Sequence, residues 1–171
     1  MDPRILTVRD RGAGELVLDT PRGAVEVCLR GSPDASCAIL MIGRDDAIEH
    51  ELERQGWSVL RLRPRLAELG EAVHDVLAGI RFLVGCGALQ IGLVGHSFGG
   101  EVAIQAAAIS RDVSAVVALG ARRLSTQLAD RPLLVVPEER GERVPALVGD
   151  FLRDGFRASS RATDFPSSGP G

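Results

Sequence analysis

The sequence contains no lysine and no tyrosine, only one tryptophan, and only three histidines among its 171 residues. The absence of lysine beside 20 arginines is typical of a GC-rich, bacterial genome. No apolar run approaches the roughly 20 residues that a membrane-spanning helix requires, and no secretory segment follows the N-terminus. Basic residues are not clustered, which argues against nucleic-acid binding through phosphate contacts. These absences predict a cytoplasmic protein that binds neither membranes nor nucleic acids.

Three cysteines, Cys28, Cys37 and Cys86, are odd in number and lack Cys-x-x-Cys spacing, so neither a disulfide framework nor a metal site is predicted. A composition that is 45% hydrophobic and 25% charged, with a net charge of −3, favours one globular domain. We expect this domain to span residues 1–157. Residues 158–171 are rich in Ser, Pro and Gly and predict a flexible tail. No cofactor is indicated.

Strand-like and helix-like segments alternate along the chain. After an extended start at residues 5–8, two alternating segments, 15–19 and 24–29, predict an N-terminal hairpin. Helical periodicity marks residues 69–84 and, as a last amphipathic helix, residues 144–152. Continuous apolar segments, typical of strands buried on both faces, lie at 38–42, 57–62, 89–94, 113–119 and 133–136. This order predicts an α/β fold with a mostly parallel central sheet of about seven strands and helices on both faces.

The segment Gly95-His96-Ser97-Phe98-Gly99 matches the pattern Gly-x-Ser-x-Gly. It lies between the buried strand at 89–94 and an apolar helix at 102–109, where a sharp strand-to-helix turn lifts the serine oxygen above the sheet. The two glycines remove side chains that would collide in such a turn. The helix N-terminus directs its amides and its positive dipole end at the serine, which suits an oxyanion. Ser97 is therefore the candidate nucleophile.

With these features the chain resembles the α/β-hydrolase superfamily, most closely small carboxylesterases and dienelactone-hydrolase-like members without a lid domain. The resemblance covers residues 15 to about 152. It implies an oxyanion hole with a second donor from the loop after residues 38–42, where Ile42-Gly43-Arg44 stands in place of the family's His-Gly. The expected donors are then the backbone amides of Phe98 and Arg44, with Gly43 and His96 beside the substrate.

The sequence departs from this family at the two other triad positions. The family order is Ser, then Asp or Glu, then His, but no histidine follows Ser97 in this sequence. By register, Gly141 stands where the family has its acid. We also predict that the family's eighth and last strand is missing, so that residues 133–136 lie at an edge of the sheet. Three nearby glutamates remain as alternative acids: Glu138, Glu139 and Glu142.

None of the three histidines is predicted to serve Ser97 as a base. His96 lies on a strained turn, so its ring is expected to point away from the Ser97 oxygen. His50 and His74 lie off the apolar faces of their helices and are expected to face solvent. A serine without a base is a poor nucleophile, so Ser97→Ala is expected to change the rate of ester hydrolysis by less than about tenfold.

Arginines follow several of the predicted strands, at the sheet edge where open α/β sheets bind ligands. Their guanidinium groups could bind a carboxylate or a phosphate, although ordinary charged loops are the alternative. Arg122 and Glu139 are the predicted substrate contacts among the charged loop residues. The arginines concerned are Arg44, Arg63, Arg65, Arg122, Arg123, Arg140 and Arg143.

Three functions stay open. The favoured one is a weakly hydrolytic or non-hydrolytic relative that binds a small molecule or a partner at the former active site. The second is an active serine hydrolase of small carboxylic esters or thioesters with a displaced base. The third is a shortened chain that is completed at its sheet edge by a partner or a second copy. An imidazole within about 4 Å of Ser97 would favour the enzyme, because a base must reach the hydroxyl.

Overall fold

The computed structural model describes residues 4–32, 34–65, 68–121, 131–137 and 141–163. The strands in these ranges are β1 (Thr7–Gly12), β2 (Glu15–Thr20), β3 (Gly23–Arg30), β4 (Cys37–Ile42), β5 (Ser58–Leu62), β6 (Gln90–His96), β7 (Val113–Leu119) and β8 (Leu133–Val136). The helices are α1 (Asp46–Arg54), α2 (Leu69–Gly85), α3 (Phe98–Ile109) and α4 (Val144–Thr163). The predicted hairpin and the five strands predicted from apolar segments are confirmed, but β8 is only partly buried, with Val136 its one buried residue.

All described strands form one sheet in the order β1-β2-β3-β5-β4-β6-β7-β8. The first three strands pair antiparallel, and β3 also pairs antiparallel with β5. From β5 to β8 every neighbouring pair is parallel. The carboxyl ends of β4, β5, β6, β7 and β8 therefore meet at one edge of the sheet, as the predicted α/β architecture requires.

Two hydrophobic clusters lie on opposite faces of the sheet. Leu40 and Leu60 belong to the cluster that α2 and α3 cover. Ile39 and Val59, their neighbours along β4 and β5, belong to the cluster on the face of α1 and α4. Successive side chains of a strand point to opposite faces, so a strand covered on both faces must be apolar throughout. This packing explains the continuous apolar segments in the sequence.

The sheet has eight described strands, which corrects the prediction of about seven with the eighth missing. The added strand is β1, beside β2, whereas residues 133–136 lie at an edge of the described sheet, as predicted. All side chains of β1 are exposed, so no apolar pattern marks it. Backbone hydrogen bonds to β2 hold β1 in the sheet. Two ion pairs add to them: Arg9 with Asp19 of β2 at 2.7 Å, and Arg11 with Glu26 of β3 at 2.9 Å. At the other end of the order, β8 has only β7 as a neighbour within the described part of the chain.

Helix α4 continues to Thr163, beyond both its predicted end near residue 152 and the predicted domain boundary at 157. Phe156 explains the extension, since it is buried and packs edge-on against Trp57 with ring centroids 5.3 Å apart. This contact lies more than a turn beyond the predicted helix end and gives the extra turns an apolar anchor. No described helix combines the length and the apolar character that crossing a membrane demands.

His74 and Asp75 are buried in the middle of α2, so the prediction that His74 faces solvent was wrong. The helix packs against the sheet on one side and against α3 on another, which covers part of its polar face. At Gly79 the helix approaches the sheet so closely that a Cβ atom would lie 2.5 Å from Cδ1 of Leu40. A single apolar stripe therefore underestimates how much of α2 is buried.

The buried carboxylate of Asp75 binds Arg65, in the loop after β5. The guanidinium lies 2.6 Å from Oδ1, and the Arg65 backbone amide donates to Oδ2 at 3.1 Å. The same guanidinium donates to the carbonyl of Arg22, in the turn between β2 and β3. Arg65 therefore joins a loop at the carboxyl edge of the sheet to α2 and to the hairpin.

Arg65→Ala is expected to lower the free energy of unfolding by about 3 kcal/mol, and Asp75→Asn by less. Removing Arg65 leaves a carboxylate with no exposure to solvent, whereas the Arg65 side chain is 32% exposed and can turn toward water once Asp75 is neutral. Urea unfolding followed by the fluorescence of Trp57 measures both values. A larger loss for Asp75→Asn than for Arg65→Ala would contradict this explanation.

Candidate active site

Ser97 lies in the sharp turn between β6 and α3, as the sequence predicted. Its backbone has φ 52° and ψ −115°, a conformation that residues other than glycine rarely adopt. The Ser97 amide donates to the carbonyl of Leu119 at the end of β7, at 2.7 Å, and its own carbonyl accepts from Gly100 at 3.0 Å. The side chain is exposed. The strained turn therefore presents the hydroxyl at the carboxyl edge of the sheet.

The two glycines of the pattern are required by close backbone contacts. A Cβ atom at Gly95 would lie 2.0 Å from the carbonyl oxygen of Gly99, and one at Gly99 would lie 2.7 Å from the carbonyl oxygen of Ile42. Real Cβ atoms do not approach backbone this closely. Strand β6, helix α3 and the end of β4 therefore meet at a point where no side chain fits, as the sequence pattern predicted.

His96 is the main correction to the predicted site. Its Nδ1 atom lies 2.9 Å from Oγ of Ser97, so the ring does not point away from the serine. The expectation treated the two residues as strand neighbours with opposed side chains, but the positive φ of Ser97 breaks that alternation directly after His96. Gly43 lies near His96, since a Cβ added at Gly43 would be 3.9 Å from Cβ of His96. An imidazole is therefore within reach of the hydroxyl.

The direction of the His96 to Ser97 hydrogen bond depends on the imidazole tautomer. With its hydrogen on Nε2, a neutral ring accepts the hydroxyl hydrogen at Nδ1 and can act as a base. A protonated ring has no free nitrogen and can only donate. The contact is therefore useful for proton transfer only when the imidazole is neutral.

The loop after β4 lies beside this pair. Gly43 adopts φ 99°, and its amide donates to the carbonyl of Leu62 at 3.1 Å. That bond uses the Gly43 amide and leaves the next one, from Arg44, as the candidate oxyanion donor in this loop. The amide of Phe98 is at the first position of α3, where a helix has no internal acceptor for it. Gly43, His96 and Ser97 are thus brought together, with both candidate donors adjacent to them in the chain.

The Arg44 side chain is engaged elsewhere, at the start of α1. Its Nε lies 2.8 Å from Oδ1 of Asp46, and both side chains are largely exposed. The hydrogen bond with Asp46 raises the pKa of Arg44 and lowers that of Asp46. Asp45 caps α1 by accepting from the amide of Ile48 at 3.2 Å. These two acids therefore serve the helix start.

For the remaining predicted site residues, the structure shows no contact with Ser97 where they are described, and several lie outside the described residues. His50 is exposed on α1, as predicted, and Arg65 binds Asp75. Glu142 and Arg143 are exposed in the turn before α4, and Gly141 is exposed beside them. Five predicted residues lie outside the described ranges: Arg122, Arg123, Glu138, Glu139 and Arg140.

A cavity of about 280 Å³ opens beside Gly43, over strands β2, β3 and β5. Three of its lining residues, Gly43, Arg44 and Arg63, were predicted from the sequence as possible ligand contacts, whereas the contribution of β2 and β3 was not. One signal was available, because Arg61 is a charged residue within the otherwise buried strand β5. Arg61 is half-buried and pairs at 3.1 Å with Glu49, which is buried. The cavity is lined by Arg11, Glu15, Leu16, Glu26, Val27, Cys28, Gly43, Arg44, Arg61, Leu62 and Arg63.

Comparison with solved structures identifies the fold. A protein of unknown function from Agrobacterium tumefaciens, proposed to be an α/β hydrolase, matches with a TM-score of 0.60 at 15% identity, over 80% of this chain and 78% of that one. An esterase from Pyrococcus furiosus matches with a TM-score of 0.55 at 17% identity, over 67% of this chain and 52% of that one. Epoxide hydrolase A from Mycobacterium thermoresistibile matches with a TM-score of 0.51 at 19% identity, over 67% and 39%.

This chain therefore has the α/β-hydrolase fold, which confirms the predicted resemblance at the level of fold. It spans about half the length of the esterase and less of the epoxide hydrolase, at 52% and 39%. No protein-family model and no curated protein sequence matches this chain. At 15 to 19% identity, these likenesses define the fold and not the reaction at the site.

Proposed function

We propose that the protein is a serine hydrolase that cleaves small carboxylic esters slowly, with Ser97 as nucleophile and His96 as its base. The contact of 2.9 Å between His96 Nδ1 and Ser97 Oγ carries this proposal, because a general base must lie within hydrogen-bond reach of the proton it removes. The α/β-hydrolase fold, which an esterase shares, supports it.

In the first half of the reaction, Ser97 Oγ attacks the ester carbonyl carbon while His96 Nδ1 takes the hydroxyl proton. The bond from that carbon to the leaving oxygen then breaks, and the imidazolium gives its proton to the departing alkoxide. The acyl group remains on Ser97. In the second half, water attacks the acyl carbon and loses a proton to His96, which returns it to Ser97 Oγ as the acid leaves.

The amides of Phe98 and Arg44 are the proposed donors to the oxyanion that forms on the carbonyl oxygen. The first belongs to the free N-terminus of α3, whose dipole also favours negative charge. The second follows Gly43, whose positive φ turns the loop beside His96. Such donors contribute about 10²- to 10³-fold each to kcat in serine proteases.

The expected turnover is slow because His96 adjoins the nucleophile in the chain, whereas the family places its base after the acid position. Gly141, which stands at the acid position by register, supplies no carboxylate there. The His96 ring is further restricted because His96 and Ser97 are adjacent in the chain and their side chains are hydrogen-bonded to each other. The ring therefore has little freedom to carry the proton to the leaving group.

A fluorophosphonate probe tests whether Ser97 is activated, because such probes react with serines that have a base. We expect one label per chain at neutral pH, mapped to Ser97 by mass spectrometry. Ser97→Ala should abolish the labelling, whereas Ser114→Ala, which alters a half-buried serine near the start of β7, should retain it. Equal labelling of Ser97→Ala and Ser114→Ala would contradict the assignment of Ser97 as nucleophile. A wild-type protein that is not labelled would contradict it as well.

A non-hydrolytic binding protein is the second candidate, and the exposed Gly141 at the acid position favours it. In that case the strained turn at Ser97 and the cavity beside Gly43 would form a ligand site without chemistry. Ligand binding with no labelling of Ser97 would support this candidate over the hydrolase.

A further inference from the structure

The cavity beside Gly43 lies close to the pair of His96 and Ser97. Its wall includes Gly43, where an added Cβ would lie 3.9 Å from Cβ of His96, the residue whose Nδ1 contacts Ser97. The Gly43 amide is bonded to the carbonyl of Leu62, and Arg63 follows immediately at the end of β5. A substrate held at Ser97 therefore has this cavity next to it, on the side of Arg63.

Arg63 differs from the other three arginines that line the cavity. It is exposed, and it makes no ion pair with any described residue. Each of the others is held by a carboxylate: Arg11 by Glu26 at 2.9 Å, Arg44 by Asp46 at 2.8 Å and Arg61 by Glu49 at 3.1 Å. Among the described residues, the guanidinium of Arg63 is thus the lining cation that has no carboxylate partner.

The backbone that carries Arg63 is fixed on both sides. Leu62 before it is fully buried and pairs with Val27 of β3, and Pro64 after it is buried. One residue further, Arg65 is bound to the buried carboxylate of Asp75. Arg63 therefore projects from a rigid support, which reduces the entropy lost when it binds a ligand.

We infer that Arg63 binds an anionic group of the ester substrate, a carboxylate or a phosphate, in this cavity. The inference rests on the proposed function, because it names the kind of substrate that Ser97 would receive. A guanidinium can donate two parallel hydrogen bonds to two oxygens of either group. The other three lining arginines add positive charge beside the same cavity, although each is paired with a carboxylate.

Neutralising Glu15 should change anion binding in the direction opposite to neutralising Arg63. Glu15 is an exposed lining residue that, among the described residues, has no ion pair. Its carboxylate repels an anion and would attract a cation. If the cavity binds anions, neutralising Arg63 weakens binding and neutralising Glu15 strengthens it, whereas a cation site gives the reverse.

The first measurement compares 4-nitrophenyl hemisuccinate, which carries a carboxylate, with 4-nitrophenyl butyrate, which does not. Arg63→Gln is expected to raise KM for the hemisuccinate about 5- to 20-fold and to leave KM for the butyrate and both kcat values unchanged. Glu15→Gln should lower KM for the hemisuccinate about twofold. Arg111→Gln is the matched control, because Arg111 is exposed at the opposite edge of the sheet. Equal effects of Arg63→Gln on both esters would overturn the inference.

The second measurement does not depend on catalysis. Succinate and inorganic phosphate are titrated separately into the wild-type protein, Arg63→Gln and Arg111→Gln, with binding followed by calorimetry. The subsite is supported if either anion binds and Arg63→Gln weakens that binding at least fivefold. The anion that binds more tightly shows whether the subsite prefers a carboxylate or a phosphate. No binding of either, or binding that Arg63→Gln does not change, would overturn it. Failure of hydrolysis alone would instead count against Ser97 and His96.

Discussion

Replacing Ser97 with Ala, or His96 with Gln, is expected to lower kcat for 4-nitrophenyl butyrate at least about 100-fold, since general-base catalysis typically contributes 10²- to 10⁴-fold. Combining the two substitutions should cost no more than the larger single effect. The two side chains act as one unit through the contact of 2.9 Å, and residues that act as a unit show effects that do not add.

His50→Gln is the matched control for this experiment, because His50 is an exposed imidazole on α1 and should be replaceable without effect. The wild-type rate should also fall on acidification, since a protonated imidazole cannot accept the Ser97 proton. A change of less than about threefold in His96→Gln would mean that the contact transfers no proton. The activity would then be the small background expected from a serine without a base.

Much of the fold could be predicted because buried parallel strands leave a strong pattern. Strands β4 and β7 are apolar at nearly every position, since helices cover both of their faces. The turn at Ser97 was equally predictable, because close backbone contacts leave only glycine at positions 95 and 99. In both cases the local sequence is restricted by contacts that any protein with this architecture must make.

The errors occur where the determining contact is distant or depends on one dihedral angle. Strand β1 carries no apolar pattern because backbone pairing and ion pairs with Asp19 and Glu26 hold it. The burial of His74 depends on α3, a neighbour that helical periodicity does not reveal. The His96 ring is directed by the positive φ at Ser97, which strand alternation ignores. Sequence reasoning therefore located the candidate nucleophile but misjudged the orientation of the imidazole next to it.

Gly95→Ala is expected to destabilise the protein by more than about 4 kcal/mol or to prevent folding, a size of effect reserved for severe backbone conflict. The new Cβ would lie 2.0 Å from the carbonyl oxygen of Gly99, 2.4 Å from its carbonyl carbon and 2.7 Å from the amide nitrogen of Gly100. All three are backbone atoms, so no side-chain rotation relieves the clash. Either β6 or α3 has to move, and the contact between His96 and Ser97 lies between them.

Gly70→Ala is the matched control, because it makes the same chemical change near the start of α2, where an added Cβ meets no atom within 4 Å. An alanine there should stabilise the protein by about 0.5 to 1 kcal/mol, since glycine is a poor helix former. Urea unfolding followed by Trp57 fluorescence measures both variants. A lower free energy of unfolding for Gly95→Ala together with a higher one for Gly70→Ala would establish that β6, the turn and α3 are held together at Gly95. A Gly95→Ala protein within about 1 kcal/mol of wild type would mean that the turn can open, and Ser97 would lose the rigid support on which the proposed chemistry depends.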